Sequence, residues 1–236
     1  MNLKYYIGKM VRNSINYFDA ELRDIRRIIH DHQETLVSDN AVVRTSDQIF
    51  INRLATYPNA LKMNFWIDHF ELKSLDAYPE ISGRVLDFGC GSGHLDVLLA
   101  RSGRSIHGID LSPIGIRIAQ YLRNKENRAV QSRVSFEVAD VTTSRPKEPY
   151  DSAWSAHVFE HIEDPGPVFI GLRNWLKPGA PLLISVPWGD AYDDPTHVNH
   201  YYDVGQLRSY LESHIDIVNI DPSEEYRVMR AICRFP

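Results

Sequence analysis

The sequence predicts an α/β fold with a doubly wound, mostly parallel sheet of seven strands and helices on both of its faces. From Gly83 onward, short apolar runs alternate with stretches whose apolar residues recur every three or four positions. Most of these runs stop beside a glycine, a proline or an acid, which is typical of strands that end in loops. Strands that alternate with helices are joined by crossovers, and crossovers are right-handed in nearly all proteins.

Each element has its own signal in the sequence. The predicted strands cover residues 84–88, 105–109, 134–138, 152–155, 181–186, 215–220 and 227–233. The predicted helices between them cover residues 94–102, 113–124, 165–176 and 204–211. The second helix has the clearest start, because Ser112 suits the N-cap and Pro113 the first helical position. The third helix ends at Lys177-Pro178-Gly179.

Residues 1–80 differ from the rest and are predicted to form a helical cap beside a domain of residues 81–236. Apolar residues recur at helical spacing in a first stretch, at Ile15, Phe18, Leu22, Ile25 and Ile29. A second helical stretch is expected at residues 60–75, after a loop at 36–58. Whether this cap closes over a ligand is left open.

Composition limits the class of protein. The chain of 236 residues is 43% apolar, which is enough for one sizeable core. Its net charge of −5 argues against a broad nucleic-acid-binding surface, which would be basic. It has neither an apolar run near the ~18 residues of a membrane span nor an apolar signal region. Two cysteines, Cys90 and Cys233, make a disulfide framework improbable. We therefore expect a cytoplasmic protein without a membrane or nucleic-acid partner.

Residues 84–95 are the most informative segment, because an apolar run there ends at Asp87 and three glycines follow at alternate positions. A turn without β-carbons lets a ligand lie against the backbone, and the helix that follows adds N–H groups. The third glycine comes one residue earlier than in the dinucleotide-binding pattern G-x-G-x-x-G. Asp87 would also repel a pyrophosphate, so the loop predicts a nucleoside that carries a positive group. The loop residues are Gly89, Cys90, Gly91 and Gly93.

With these residues the chain resembles the class I S-adenosylmethionine-dependent methyltransferases, whose first motif runs hydrophobic-Asp-x-Gly-x-Gly-x-Gly. Further motifs of this family follow in order over roughly residues 80–213. The resemblance is to the small-molecule O-methyltransferases in particular. It implies a Rossmann-like fold, S-adenosyl-L-methionine as cofactor and S-adenosyl-L-homocysteine as product.

Further cofactor contacts are expected where strands 2 and 3 end. Asp110 ends strand 2 about 20 residues beyond the glycines, where an acid accepts hydrogen bonds from ribose hydroxyls. Leu111 would pack against the ribose and adenine. The resemblance implies that Asp140 meets the adenine amino group and that the backbone of Val141 pairs with the ring edge.

Polar segments also follow strands 4 and 5. The resemblance implies that the backbone near Ala156 and His157 faces the methionine end of the cofactor. A hydroxyl acceptor must lose a proton, and imidazole titrates near neutral pH. We therefore expect His197 to be the general base, with His200 as second candidate and His157 as a further catalytic candidate.

His157, Glu160 and His161 spell His-x-x-Glu-His, which also matches an inverted zinc-peptidase motif. That motif needs a continuous helix, whereas this segment leaves a strand and enters a turn. Some relatives, the small-RNA 2′-O-methyltransferases and the ubiquinone-pathway O-methyltransferases, carry Glu-x-x-Glu-His here and a later histidine, and bind a divalent metal. Glu-His after strand 4 is also frequent among small-molecule methyltransferases that bind no metal there, so we expect no metal. The alternative is a softer site that adds His197 or His200.

The sequence thus predicts a methyltransferase that acts on an oxygen of a small-molecule or sugar-like acceptor. Two alternatives use the same cofactor site: a metal-assisted O-methyltransferase, and a non-catalytic S-adenosylmethionine-binding protein. A nicotinamide-dependent oxidoreductase is disfavoured by the glycine spacing and by Asp87. A homodimer is left open.

Overall fold

The computed structural model describes residues 23–28, 30–31, 75, 77–189, 196–224 and 227–235. The strands of the described part are β1 (Arg84–Phe88), β2 (Ser105–Asp110), β3 (Val134–Val138), β4 (Ser152–Ala156), β5 (Pro181–Pro187), β6 (Asp216–Ser223) and β7 (Val228–Arg234). The helices for which both ends are described are α1 (His94–Arg101), α2 (Pro113–Asn124), α3 (Arg128–Gln131), α4 (Gly166–Trp175) and α5 (Val204–Leu211). A 3₁₀ turn, Phe159–His161, follows β4.

These strands form one sheet in the order β3-β2-β1-β4-β5-β7-β6. All pairs from β3 to β5 are parallel, and β7 runs antiparallel to both of its neighbours. The predicted α/β fold with a mostly parallel seven-stranded sheet is confirmed. The sequence did not predict α3, a single turn that begins because the side chain of Asn127 accepts hydrogen bonds from two backbone N–H groups. Strand β6 also extends three residues beyond the predicted end, to Ser223.

The strand order places a switch point between β1 and β4. From β1 the chain proceeds outward through β2 to β3, and from β4 it proceeds in the opposite direction through β5. In open sheets of this kind, ligands bind beyond the carboxyl ends of the strands at such a point. The segments after β1, β2, β4 and β5 should therefore carry the site.

Strand β5, between β4 and β7, lies in the core of the sheet. All seven of its residues are buried, as expected for a parallel strand covered on both faces. The core behind the site includes Phe159 of the 3₁₀ turn, whose ring stacks on that of Phe169 with centroids 5.2 Å apart. The turn after β4 is therefore anchored in the core by its own first residue.

Part of the predicted cap is visible. Residues 23–28 and 30–31 are helical, and Ile25 is fully buried against α1 and α2. Asp24 accepts a 2.6 Å hydrogen bond from the Tyr121 hydroxyl on α2. The other parts of the predicted cap, except Leu75 and residues 77–80, lie outside the described residues. Among the helices that the structure describes, none is long and apolar enough to cross a membrane.

Candidate active site

The glycine loop after β1 needs its glycines for conformation and for space. Gly89, Gly91 and Gly93 all have positive φ, at 82°, 56° and 69°. A β-carbon on Gly93 would lie 2.6 Å from the Ala119 Cβ on α2, so even alanine would collide. The backbone N–H groups of Gly89 and Cys90 both donate to the carbonyl of Ile109 on β2. The loop is therefore bound to the neighbouring strand and presents its backbone at the strand ends.

Asp110 links this loop to the start of α2. Its Oδ2 accepts a 2.9 Å hydrogen bond from the Gly91 N–H, and its Oδ1 accepts one of 2.8 Å from the Ser112 N–H. Capping of α2 is done by Ser112, whose Oγ accepts from the Gly115 N–H. Asp110 thus lies between the glycine loop and the start of α2, with Leu111 next to it in sequence.

Asp87, which the sequence assigns to a cationic ligand, is buried beside a second acid. Asp87 is 4% exposed and Asp96, on α1, is fully buried. Burial raises the pKa of Asp87 well above its usual range, and Asp96 and Asp110 raise it further. Sequence reasoning missed Asp96, although an acid between Leu95 and Val97 on a buried helix face was a visible signal. A positive ligand nearby would favour the charged form of this pair.

His94 occupies the first position of α1, directly after the last glycine of the loop. Its Nδ1 lies 2.9 Å from the Ser92 Oγ. Burial lowers the pKa of His94 to about 4, so the ring is neutral at pH 7. The loop therefore carries no positive side chain at this position.

The adenine side of the predicted site is formed by the turn after β3. The Asp140 Oδ1 accepts from both the N–H and the hydroxyl of Thr142, at 2.8 and 2.7 Å. Val141 is 2% exposed and lies against α4, where a β-carbon on Gly171 would come within 2.4 Å of the Val141 carbonyl oxygen. The turn is thereby packed against α4.

The end of β4 adopts an unusual backbone. His157 has a φ of 56°, one of two positive values among described residues other than glycine. Its N–H donates to the Ser185 carbonyl on β5 at 2.9 Å, which holds this left-handed conformation. Such backbone strain concentrates at functional sites. Ala156 and His157 stand where β4 ends, at the switch point between β1 and β4.

A buried glutamate and three histidines meet beside this strand end. The side chain of Glu160 is 1% exposed, and its Oε1 lies 3.5 Å from His157 Nδ1 and 3.9 Å from His197 Nε2. Among the described residues, neither Glu160 oxygen accepts a hydrogen bond. One ligand atom from each of Glu160, His161 and His197 lies within 4.8 Å of the others. The His197 side chain is itself only 4% exposed.

The turn that carries Glu160 is held by the segment that carries His197. The N–H groups of Val198 and Asn199 donate to the Glu160 carbonyl, and the Asn199 side chain donates to the Ile162 carbonyl at 2.7 Å. The Tyr210 hydroxyl on α5 donates to the same Ile162 carbonyl at 2.5 Å. We call these hydrogen bonds the turn clamp. Sequence reasoning missed Asn199 and Tyr210, because nothing local marks a side chain that bonds a distant carbonyl.

His200, the second base candidate, lies beside His197. Its ring centroid is 6.1 Å from that of His197 and 6.4 Å from that of Tyr202, on which it stacks. Tyr202 is 52% exposed, and its carbonyl accepts from the Trp188 indole N–H at 2.8 Å. A row of aromatic rings thus leads from the buried cluster to the surface, where a planar acceptor could lie.

Several known proteins have sequences similar to this chain. A family model of the methyltransferase domain matches residues 50–220. The ubiquinone biosynthesis O-methyltransferase of Xylella fastidiosa (strain 9a5c) is 34% identical over 107 residues, 45% of this chain and 43% of the relative. Its namesake in Paraburkholderia phymatum is 33% identical over 132 residues, 54% and 55% of the two chains. The chain spans about half the length of these curated relatives.

Solved structures share the fold at low sequence identity. The glycopeptide N-methyltransferase MtfA complexed with S-adenosyl-L-methionine has a TM-score of 0.59 at 15% identity, covering 70% of this chain and 93% of that one. The cyclase SpnF has a TM-score of 0.55 at 18% identity, covering 66% and 76%. At such identities these likenesses show the fold alone. Because the family model matches more than half of the chain, the protein belongs to the class I methyltransferase family, as its glycine loop predicts.

Proposed function

We propose that the protein transfers the methyl group of S-adenosylmethionine to an oxygen of a small-molecule acceptor and leaves S-adenosylhomocysteine. The family match and the Gly91–Asp110 hydrogen bond at the switch point support the cofactor. The names of the O-methyltransferase relatives support an oxygen acceptor. The polar cluster around Glu160 supports catalysis over mere cofactor binding, because such groups have no task in a site that only binds.

Methyl transfer is an in-line displacement, so the first task of the chain is to orient the two reactants. The backbone of the glycine loop and Asp110 would hold the nucleoside, and the strained backbone at His157 would border the methionine end. The acceptor would enter along the aromatic row and meet the cluster at its buried end. The second task is to remove the proton of the acceptor hydroxyl.

In the simpler form of the proposal, His197 takes this proton as a general base. Glu160, 3.9 Å from its Nε2, would stabilise the imidazolium that results. A positioned base of this kind contributes a factor of about 10² to 10⁴ in rate. The distance is longer than a hydrogen bond, however, so in this structure Glu160 does not orient the ring.

The geometry favours a second form, in which Glu160, His161 and His197 hold a divalent cation. A buried carboxylate without a hydrogen bond is costly unless a positive group compensates it. His161 is turned for this purpose: its Nδ1 faces the Thr196 carbonyl at 3.0 Å, which leaves Nε2 as the ring atom with a lone pair. A bound cation would supply Lewis-acid stabilisation of the deprotonated acceptor oxygen.

The proposal is tested by labelled transfer. The protein is incubated with S-adenosylmethionine carrying a ¹³C methyl group and a panel of hydroxylated aromatic and sugar-like molecules. We expect S-adenosylhomocysteine and a product whose ¹³C shift identifies an O-methyl group. A metabolite extract is tested in the same way as the panel. An N-methyl or C-methyl product would contradict the proposal, and so would cofactor binding without transfer to any molecule of the panel or the extract. Chelator treatment should stop transfer only in the metal-assisted form.

A further inference from the structure

We infer that the cluster of Glu160, His161 and His197 is a two-imidazole, one-carboxylate site that prefers Zn²⁺, Co²⁺ or Ni²⁺ to Mg²⁺, and that His157 sets this preference. The inference rests on the metal-assisted form of the proposed function and names the ion that it would use.

The donor atoms are of the right kind and are already gathered. Three ligand atoms lie within 4.8 Å of one another before any ion is present. Two imidazoles and one carboxylate form a donor set found at catalytic zinc sites, where a fourth position stays open for substrate or water. Imidazole nitrogen suits zinc, nickel and cobalt, whereas Mg²⁺ takes oxygen ligands.

Burial adds to this preference. The side chains of Glu160 and His197 are 1% and 4% exposed, so an ion at the cluster must give up most of its water. Mg²⁺ loses water reluctantly and usually keeps several water ligands. A buried site with two nitrogen donors therefore disfavours it twice, through ligand type and through dehydration.

The residue at position 157 determines how many carboxylate ligands the site can offer, and here it is a histidine. Its Nδ1 lies 3.5 Å from Glu160 Oε1, and the hydrogen bond from its N–H to Ser185 holds the residue there. It stands outside the three-residue group but contacts the single carboxylate of that group. A carboxylate at position 157 would give the site two acids and one more negative charge. His157 is therefore a positioning residue that keeps the site nitrogen-rich.

The test uses cobalt absorption, which reports coordination directly. The full chain, produced without a histidine tag and freed of metal with a chelator, is titrated with Co²⁺. We expect one equivalent to bind with the intense visible bands of four- or five-coordinate cobalt. One equivalent of Zn²⁺ should remove the bands, and a hundredfold excess of Mg²⁺ should leave them. Absence of the bands, or their loss to equimolar Mg²⁺, would overturn the inference.

Variants locate the site and test His157. His161→Gln and His197→Gln should each weaken Co²⁺ binding at least tenfold, whereas His30→Gln, which removes an exposed histidine, should not. His157→Glu should improve Mg²⁺ binding relative to Co²⁺ at least tenfold by competition calorimetry. An unchanged ratio would refute the role of His157, and unchanged Co²⁺ binding in both glutamine variants would refute the site.

S-adenosylhomocysteine binding to the same preparations separates this inference from the proposed function. Binding by the metal-free protein together with failure to bind Co²⁺ would refute the metal site alone. Co²⁺ binding without S-adenosylhomocysteine binding would instead count against the methyltransferase proposal. The binding measurement also shows that each variant is folded.

Discussion

The proposed cofactor-binding half and the proposed acceptor-binding half of the site are built in different ways. The cofactor half, residues 84–141, positions its ligand groups through backbone: three glycines with positive φ, and Asp110 with a hydrogen bond to each carboxylate oxygen. The acceptor half, residues 152–210, relies on side chains: a buried Glu160 that accepts no described hydrogen bond, and imidazoles around it. Asp110 is thus hydrogen-bonded through both oxygens without a ligand, whereas neither oxygen of Glu160 accepts a hydrogen bond among the described residues.

This difference suggests a division of labour. A preformed backbone loop binds a cofactor that is common to a whole family, so its pattern is short and local. Side chains on two loops can change without disturbing the sheet, so they are suited to setting the acceptor and the proton chemistry. Each half should therefore fail separately when its own residues are changed.

The largest expected effect is in the acceptor half. His197→Ala should lower kcat with the identified acceptor about 10³-fold, because it removes either a general base or a metal ligand. The KM for S-adenosylmethionine should stay within a factor of about two. Steady-state kinetics measure both constants, with His214→Ala as the matched control, since His214 packs on Phe169 outside the cluster. A rise in the KM for S-adenosylmethionine without a change in kcat would contradict the separate roles of the two halves.

The second effect is in the cofactor half. Asp110→Ala should weaken S-adenosylhomocysteine binding about 100-fold, because it removes a charged acceptor for ribose and releases the Gly91 N–H. Isothermal calorimetry measures the affinity. Asp151→Ala is the control, since Asp151 is hydrogen-bonded to Arg84 and Lys177 at the opposite end of the sheet. If both variants bind equally well, the ribose assignment is wrong.

The third effect is the pH dependence of folding stability that comes from His94, next to the glycine loop. Burial holds the pKa of His94 near 4, below its ordinary 6.5, so the unfolded chain binds a proton before the folded one does. Folding stability should therefore fall as pH drops from 6.5 toward 4, by about 2 kcal/mol from this residue. The contribution of His94 is measured from the free energy of unfolding in denaturant of the wild type and of His94→Gln, each at pH 7 and at pH 4.5.

The wild type is compared with His94→Gln because Asp87 also titrates. Burial raises the pKa of Asp87, so its protonation increases folding stability on acidification, opposite to the effect of His94. The wild type should lose more stability than His94→Gln between the two pH values. Equal losses in the two proteins would show that His94 is not buried in its neutral form.

The smallest effect concerns the turn clamp. Tyr210→Phe removes the hydroxyl that donates to the Ile162 carbonyl, and should lower the free energy of unfolding by about 1 kcal/mol. It should also reduce kcat several-fold while cofactor affinity is unchanged, because Glu160 would lose part of its fixed position. Tyr78→Phe is the control, since among the described residues the hydroxyl of Tyr78 donates one long hydrogen bond, of 3.4 Å, to Asp221. A loss of cofactor affinity would contradict the proposed clamp.

The same division explains what sequence could predict. The glycine loop, the Ser112 cap and the strand-end acids are recognisable because each depends on neighbours within a few positions. The meeting of Glu160, His161 and His197 depends on the pairing of β4 with β5 and on hydrogen bonds from Asn199 and Tyr210. Residues more than 30 positions apart carry no local signal of such contact, so the sequence groups these three only through the resemblance to metal-binding relatives. Asp96 was predictable in principle, since an acid on an apolar helix face is unusual.

The most direct test of the separation is the affinity of Glu160→Gln for S-adenosylhomocysteine, measured by calorimetry. This substitution would keep the size of the side chain and remove its charge, leaving the glycine loop and Asp110 untouched. The account predicts a dissociation constant within a factor of about two of the wild type, in a protein that no longer transfers methyl groups. A loss of affinity of tenfold or more would show that the two halves are one coupled site, and would contradict it.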